Sequence, residues 1–291
     1  MFVADADPLA PARVAAACHE VVPSGADRSF RDALLTVIEV QAIDVVVPLS
    51  DADLAVLADL ETAGGALAAR SCQAIVSTPS FVELASDKLA TVAFCREHDI
   101  RTPTTWLPGE LEGAELPDVL FVRPRRGSGS GGAAAVPRAQ VPALVAAVPD
   151  CLVQAHVRRA EVTIDALFDR RGELLHLVPR LRVRVDGGRA TRAVTIDRPS
   201  LDAWARRVLD LLGRNGARGP VNVQAFLGPG EPQLIEVNAR LAAGVPLTIA
   251  AGGDHPAWIL DLATGRRPSA TLGAYRRGVT MSTYPEPVID G

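Results

Sequence analysis

Two short runs, Val221-Asn222-Val223-Gln224-Ala225-Phe226 and Leu234-Ile235-Glu236-Val237-Asn238-Ala239-Arg240, decide how this chain is read. The run 234–240 puts polar Glu236 and Asn238 two residues apart among apolar neighbours, the period of a half-buried strand. Strand side chains repeat every two residues, so Glu236 and Asn238 project to one face. If the two runs pair as a hairpin, Gln224 joins them there. Three converging oxygen donors suit Mg²⁺, a hard cation that takes a few protein oxygens and completes its shell with phosphates. A merely polar outer face is the plainer alternative, and the apolar flanks with Arg240 close by weigh against it.

Upstream, Arg180, Arg182, Arg184, Arg189 and Arg192 form a basic cluster, either a solvated hairpin edge or a site for an anionic group. The segment from Gln154 to Glu161 reads on its own as a strand, a kink and a second strand. Arg123-Pro124-Arg125-Arg126-Gly127-Ser128-Gly129-Ser130-Gly131-Gly132 lies between two expected strands. Its glycines let backbone N–H groups crowd around an oxyanion, and its arginines add charge. It lacks the GK[ST] ending of a P-loop and is not followed by the helix of a dinucleotide fingerprint.

The chain has 291 residues, 48% of them hydrophobic, and a formal net charge of −4. That suffices for a substantial core in two domains or one lobed domain. It does not suit a basic nucleic-acid binder. No apolar run reaches the roughly 18 residues of a membrane span. The opening Met1-Phe2-Val3-Ala4-Asp5 lacks the features of a signal peptide, and a cytoplasmic location is expected. Cys18, Cys72, Cys95 and Cys151 are scattered and read as small buried hydrophobes. Arginine has displaced lysine everywhere except at Lys88, which points to a specific contact there.

Residues 1–75 alternate strand-like and helix-like runs, with short strands at 2–4 and 21–22, helices at 11–18, 29–41 and 51–63, and a run rich in β-branched residues at 43–48. The last predicts a parallel strand buried on both faces. The order implies a small doubly wound unit. Its usual first strand and glycine-rich turn are not evident. Ser86-Asp87 offers the N-cap of a helix to His98. From 119 onward the pattern changes to strands at 119–123, 133–136, 152–156, 162–168, 174–184, 221–227 and 233–237, with helices over 201–212 and 245–262.

Taken together these motifs resemble the ATP-grasp superfamily, in particular the carbamoyl phosphate synthetase large-subunit type and its carboxylate–amine ligase relatives. The resemblance covers residues 2 to about 268. It implies an α+β fold, two lobes clamping ATP, preceded by a small, reduced α/β unit: 1–75 as the pre-ATP-grasp domain and 76–291 as the grasp domain. Within the latter, 76–150 would carry the glycine-rich loop and 151–291 the metal site.

The resemblance also implies roles. Lys88 would contact the nucleotide, and Arg123 would hold its phosphates. Arg125, Gly127, Ser128, Gly129 and Ser130 fall in the loop that covers them. Gln154, Ala155, His156 and Val157 match the hinge that reads adenine, and Glu161 the acid that binds ribose hydroxyls. Gln224, Glu236 and Asn238 match the metal ligands, Arg240 the arginine that neutralises the transferring phosphate, and Arg182 a basic residue near phosphates or substrate. Gln154 stands where many members have an acid. Gln224 replaces the more frequent acid, as in the carbamoyl phosphate synthetase branch. The implied cofactors are ATP and Mg²⁺, with Mn²⁺ as a substitute. The implied partners are small carboxylates and amines, with no nucleic acid or membrane; a homodimer is admitted. The implied reaction is amide formation through an acyl phosphate. Carboxyphosphate or carbamate kinase chemistry and a non-catalytic nucleotide-binding module are the alternatives.

Overall fold

The computed structural model describes residues 1–62, 65–127, 131–284, 286, 287 and 289. The chain opens with β1 (Phe2–Asp5), a 3-10 turn at Pro11–Ala15, β2 (Cys18–Val21), α1 (Phe30–Val40), β3 (Val45–Val46), α2 (Asp51–Thr62) and β4 (Gln73–Ala74). Helices α3 (Pro79–Ser86) and α4 (Lys88–Glu97) follow. A small lobe holds β5 (Thr105–Trp106), β6 (Val119–Pro124), β7 (Ala134–Pro137), α5 (Val141–Ala147) and β8 (Cys151–Ala155). The remainder is β9 (Glu161–Phe168), β10 (Leu174–Asp186), β11 (Arg189–Thr195), α6 (Pro199–Arg214), β12 (Gly219–Phe226), β13 (Gln233–Asn238), α7 (Val245–Ala250), α8 (His255–Ala263) and β14 (Thr280–Ser282).

The opening residues depart from the expected doubly wound sheet. They form two separate parallel pairs, β1 with β2 and β3 with β4. The β-branched run at 43–48 gives only a two-residue strand, and Val45 and Val46 are half-buried rather than enclosed. Each packs against a different cluster, so both faces are touched but neither is sealed. Proline-led residues 11–15 close as a 3-10 turn with no buried residue, because their apolar side chains find nothing to pack against. Cys18 lies exposed on β2, unlike the other three cysteines, which are buried.

Local signals explain the helices better. Asp87 caps α4, accepting the N–H groups of Leu89 and Ala90. Thr78 caps α3 with Pro79 at the first helical position, a helix missed in the sequence. The helix expected over 245–262 is two: α7 ends before Gly252-Gly253, and Asp254 caps α8 anew. Gly252 takes a left-handed φ of 105°, which no continuing helix tolerates.

Two antiparallel sheets dominate. The larger has the order β13-β12-β9-β10-β11-β14, the smaller β5-β8-β6-β7. Opposed residues on antiparallel strands share a face. In the larger sheet Val237, Val223 and Ile164 line up on one side, as do Leu234, Ala225 and Val162. These belong to the main core, which continues into α6 and the helices α1, α2 and α3, so residues on both sides of position 75 share it. The other face carries polar rows, Asn238-Asn222-Asp165 and Glu236-Gln224-Thr163-Arg180. At one end α7 and α8 cover this face, with Leu167, Trp258 and Ile259 packed together. At the other end the small lobe faces it. That lobe has its own core of Leu120, Val122, Cys151 and Val153 under α5.

Candidate functional site

A cavity of about 320 Å³ lies between the two sheets, at the small end of the range for small-molecule sites. The small lobe supplies Phe121 and Arg123 from β6, opposite in phase to the core residues Leu120 and Val122, and Gln154 from β8, paired with Phe121. The large sheet supplies Glu161, Arg182, Gln224, Phe226, Ile235 and Glu236. The last residue of β8, Ala155, and the crossing chain after it, His156 and Val157, line the cavity too, and α4 adds Lys88.

The charged groups inside are tightly arranged. Arg123 Nη2 donates to Glu236 Oε2 at 2.6 Å, joining the two lobes across the cavity. Asn238 Nδ2 reaches Glu236 Oε1 at 3.4 Å and Asn222 Oδ1 at 3.1 Å. Arg182 Nη1 donates to Gln224 Oε1 at 2.5 Å, and its Nε stands 3.3 Å from Glu161 Oε2. Burial opposes the charge on Glu236. Arg123, Asn238 and Lys88 more than offset it, so the carboxyl stays ionised below its usual range. Burial, then repulsion from Arg123, pulls the Lys88 ammonium down to about 8.

Lys88 Nζ donates to the carbonyl of Gly127 at 2.6 Å and to that of Arg125 at 3.4 Å, so it holds the stem of the glycine-rich loop. Arg125 itself turns away from the cavity. Its Nε and Nη2 reach Asp87 at 2.8 and 2.5 Å, and this pair holds the Asp87 carboxyl down to about 2. One aspartate thus caps α4 and anchors the loop stem. Ser128, Gly129 and Ser130 lie outside the described residues.

Three residues expected at the site are not in the cavity wall: Arg125, Asn238 and Arg240. Asn238 is one contact behind it, through Glu236. Arg240 follows β13 and forms a two-pronged ion pair with Asp51, Nε to Oδ1 at 2.6 Å and Nη2 to Oδ2 at 2.8 Å. The proposed arginine cluster divides. Arg182 enters the cavity, Arg180 is sealed against Asp165, and Arg184, Arg189 and Arg192 are on the exposed hairpin of β10 and β11.

Sequence reasoning missed the apolar walls. Phe121 and Phe226 were findable, each two residues from a polar site residue on the same strand. Ile235 was not. Gln224 pairs with Glu236 but Ala225 with Leu234, so Ile235 is an extra residue in the β12–β13 pairing. The bulge brings Ile235 into the cavity beside Glu236, against strict alternation.

One carboxylate and two amide oxygens, from Glu236, Gln224 and Asn238, are hard donors of the kind Mg²⁺ takes. Among the described residues no group of three His, Cys, Asp or Glu could hold a metal alone. A metal here would therefore share its shell with ligand oxygens, as Mg²⁺ does with phosphates.

Two lobes with facing antiparallel sheets, a hinge between them and this charged cavity define the ATP-grasp fold. The chain belongs to the ATP-grasp superfamily: residues 147–286 match the family described as ATP-grasp in the biosynthetic pathway with Ter operon, and residues 1–77 match the PylC-like N-terminal domain. Among solved structures it is similar to a biotin carboxylase from Campylobacter jejuni, with a TM-score of 0.73 and 12% identity over 95% of this chain and 67% of that one. An N5-carboxyaminoimidazole ribonucleotide synthetase from Thermus thermophilus gives 0.69 and 20%, over 93% and 73%. An L-amino acid ligase from Bacillus licheniformis gives 0.66 and 18%, over 85% and 63%. None of the curated proteins compared with the chain matches it. Among the described residues no helix is long and apolar enough to cross a membrane.

Proposed function

We propose that this protein is a carboxylate–amine ligase that uses ATP and Mg²⁺ to form an amide bond, with residues 1–75 as the pre-ATP-grasp unit and 76–291 as the grasp. The supporting observation is the Arg123–Glu236 pair, which brings a phosphate-type cation and a metal-type anion together across one cavity. Adenine would lie between Phe121, Phe226 and Ile235, beside the hinge Gln154, Ala155, His156 and Val157. Glu161 would meet the ribose. Lys88 and Arg123 would hold the phosphates, with the loop from Arg125 through Gly127, Ser128, Gly129 and Ser130 above them. Gln224, Glu236 and Asn238 would hold Mg²⁺, which would offset the negative charge of the phosphates.

In the reaction a carboxylate oxygen attacks the γ-phosphorus of ATP, giving an acyl phosphate and ADP. An amine then attacks the acyl carbon, expels phosphate and loses a proton. The side chains position reactants and stabilise charge, with Arg182 and Arg240 facing the developing negative charge. Carboxylates labelled with ¹⁸O, supplied as pooled amino acids, test this reading. Transfer of one label to released phosphate, dependent on Mg²⁺, is the expected result. ADP release without label transfer would remove the acyl phosphate.

Activation of bicarbonate as carboxyphosphate is a second reading, supported by the likeness in fold to a biotin carboxylase and an N5-carboxyaminoimidazole ribonucleotide synthetase. Bicarbonate in place of the amino acids separates the two: ADP release that depends on bicarbonate alone favours the second.

A further inference from the structure

Arg240 is held from the far side of the molecule. Its partner Asp51 is the first residue of α2, 189 positions earlier in the chain. The contact is side-on: Nε and Nη2 each give one N–H to the two carboxylate oxygens. Nη1 donates to the carbonyl of Leu241 at 3.2 Å. A guanidinium has five N–H donors, so its Nη1–Nη2 end still has N–H groups for a second anion. The backbone is fixed as well. Asn222 Nδ2 donates to the carbonyl of Arg240 at 3.1 Å, and Asn222 also accepts from Asn238. Arg240 is therefore tied to the β12–β13 hairpin by its main chain and to α2 by its side chain.

Asp51 also lies within electrostatic reach of the cavity, since its negative charge acts on the Lys88 ammonium together with that of Glu236. Asp51 stands in the first turn of α2, where the first N–H groups of a helix favour negative charge. Both side chains are largely shielded, at 17% exposure for Arg240 and 30% for Asp51.

We infer that Asp51 is a positioning residue: it holds Arg240 side-on across the boundary between the N-terminal unit and the grasp, so that the free end of the guanidinium meets the transferring phosphate. The inference rests on the proposed role of Arg240. It makes the N-terminal unit a working part of the phosphoryl-transfer site. A misplaced charge in such a site costs most when the charge being stabilised is still developing.

The test compares two probes by calorimetry on the full chain: a non-hydrolysable ATP analogue with Mg²⁺, and ADP with aluminium fluoride and Mg²⁺, which mimics the phosphoryl group in transfer. Asp51→Asn should bind the analogue like the parent and the mimic about tenfold more weakly. Asp51→Glu should recover part of that loss. Asp51→Asn should add nothing in an Arg240→Ala background, because both changes remove one device. Equal binding of both probes by Asp51→Asn, with only a lowered Tm, would overturn the inference and leave the role of Arg240 standing. Additive losses in the double variant would do the same. Full mimic binding by Arg240→Ala would overturn the role of Arg240 and this inference together.

Discussion

Two ends of one sheet face carry the same chemistry to different ends. Near α7, Arg180 binds Asp165 through two hydrogen bonds of 2.8 and 3.0 Å, with Thr248 donating to the same carboxylate. Both side chains are under 5% exposed. Two residues along β10, Arg182 pairs with Gln224 and Glu161 at the wall of the open cavity. The difference lies in the cover. Helices α7 and α8 close over the first end, and Gly244 permits that approach, since a Cβ there would collide with the Arg180 guanidinium. The small lobe stands off the second end and leaves room for a ligand. An arginine–carboxylate pair is structural where it is sealed and available for chemistry where it is not.

Removing Arg180 breaks the comparison most severely. Arg180→Ala leaves the Asp165 carboxylate buried without its partner, and urea unfolding should register a loss of about 3–5 kcal/mol. Arg182→Ala should lower ADP release with a smaller stability loss, because Glu161 can be solvated. Equal stability losses would mean that both ends are structural.

Glu236→Ala should reduce ADP release by about 10²–10³-fold, the scale of losing one preorganised charge contact in an active site. The variant should still unfold cooperatively. Near-parental turnover would remove Glu236 from the proposed metal site.

The sealed end also contains His176 and His255, in contact at 3.0 Å, with His176 edge-on to Trp258 and His255 tilted against it. Burial holds His255 down to about 4. An unfolded chain would bind a proton near pH 6.5, so stability is full above that value and falls as pH drops from 6.5 towards 4. The loss has a ceiling of about 3 kcal/mol. Urea titrations at pH 7 and pH 5 should show it, and His255→Gln should flatten it. A slope unchanged in that variant would assign the effect elsewhere.

At the open end, Phe226→Ala and Ile235→Ala should each raise the KM for ATP about tenfold, from roughly 1–2 kcal/mol of lost apolar contact, with kcat little changed. No change in KM would place the base elsewhere in the cavity.

Much of this was legible where strands are long. Period-two reading of the stretch 234–240 put Glu236 and Asn238 on one face, and the pairing of Gln224 with Glu236 completed the row. Asp87 as a helix cap was equally readable, because a cap depends on residues only two and three positions ahead. Where elements are short the reading fell short. The valines at 45–47 are as β-prone as any in the chain, yet only two of them pair. Their burial depends on neighbours far away in sequence.

By itself, the sequence determined the residue chemistry: which strands alternate, which donors share a face, and that one lysine was kept among arginines. Tertiary structure decided what covers each face. It split Arg180 from Arg182, inserted Ile235 through a bulge, brought two histidines 79 residues apart into contact and gave Arg240 a partner from α2. Alternation and capping act over two or three residues, so they are written locally. Burial, ion pairing across lobes and the width of a cavity are set by chain segments that meet only on folding, and no local pattern encodes their distance.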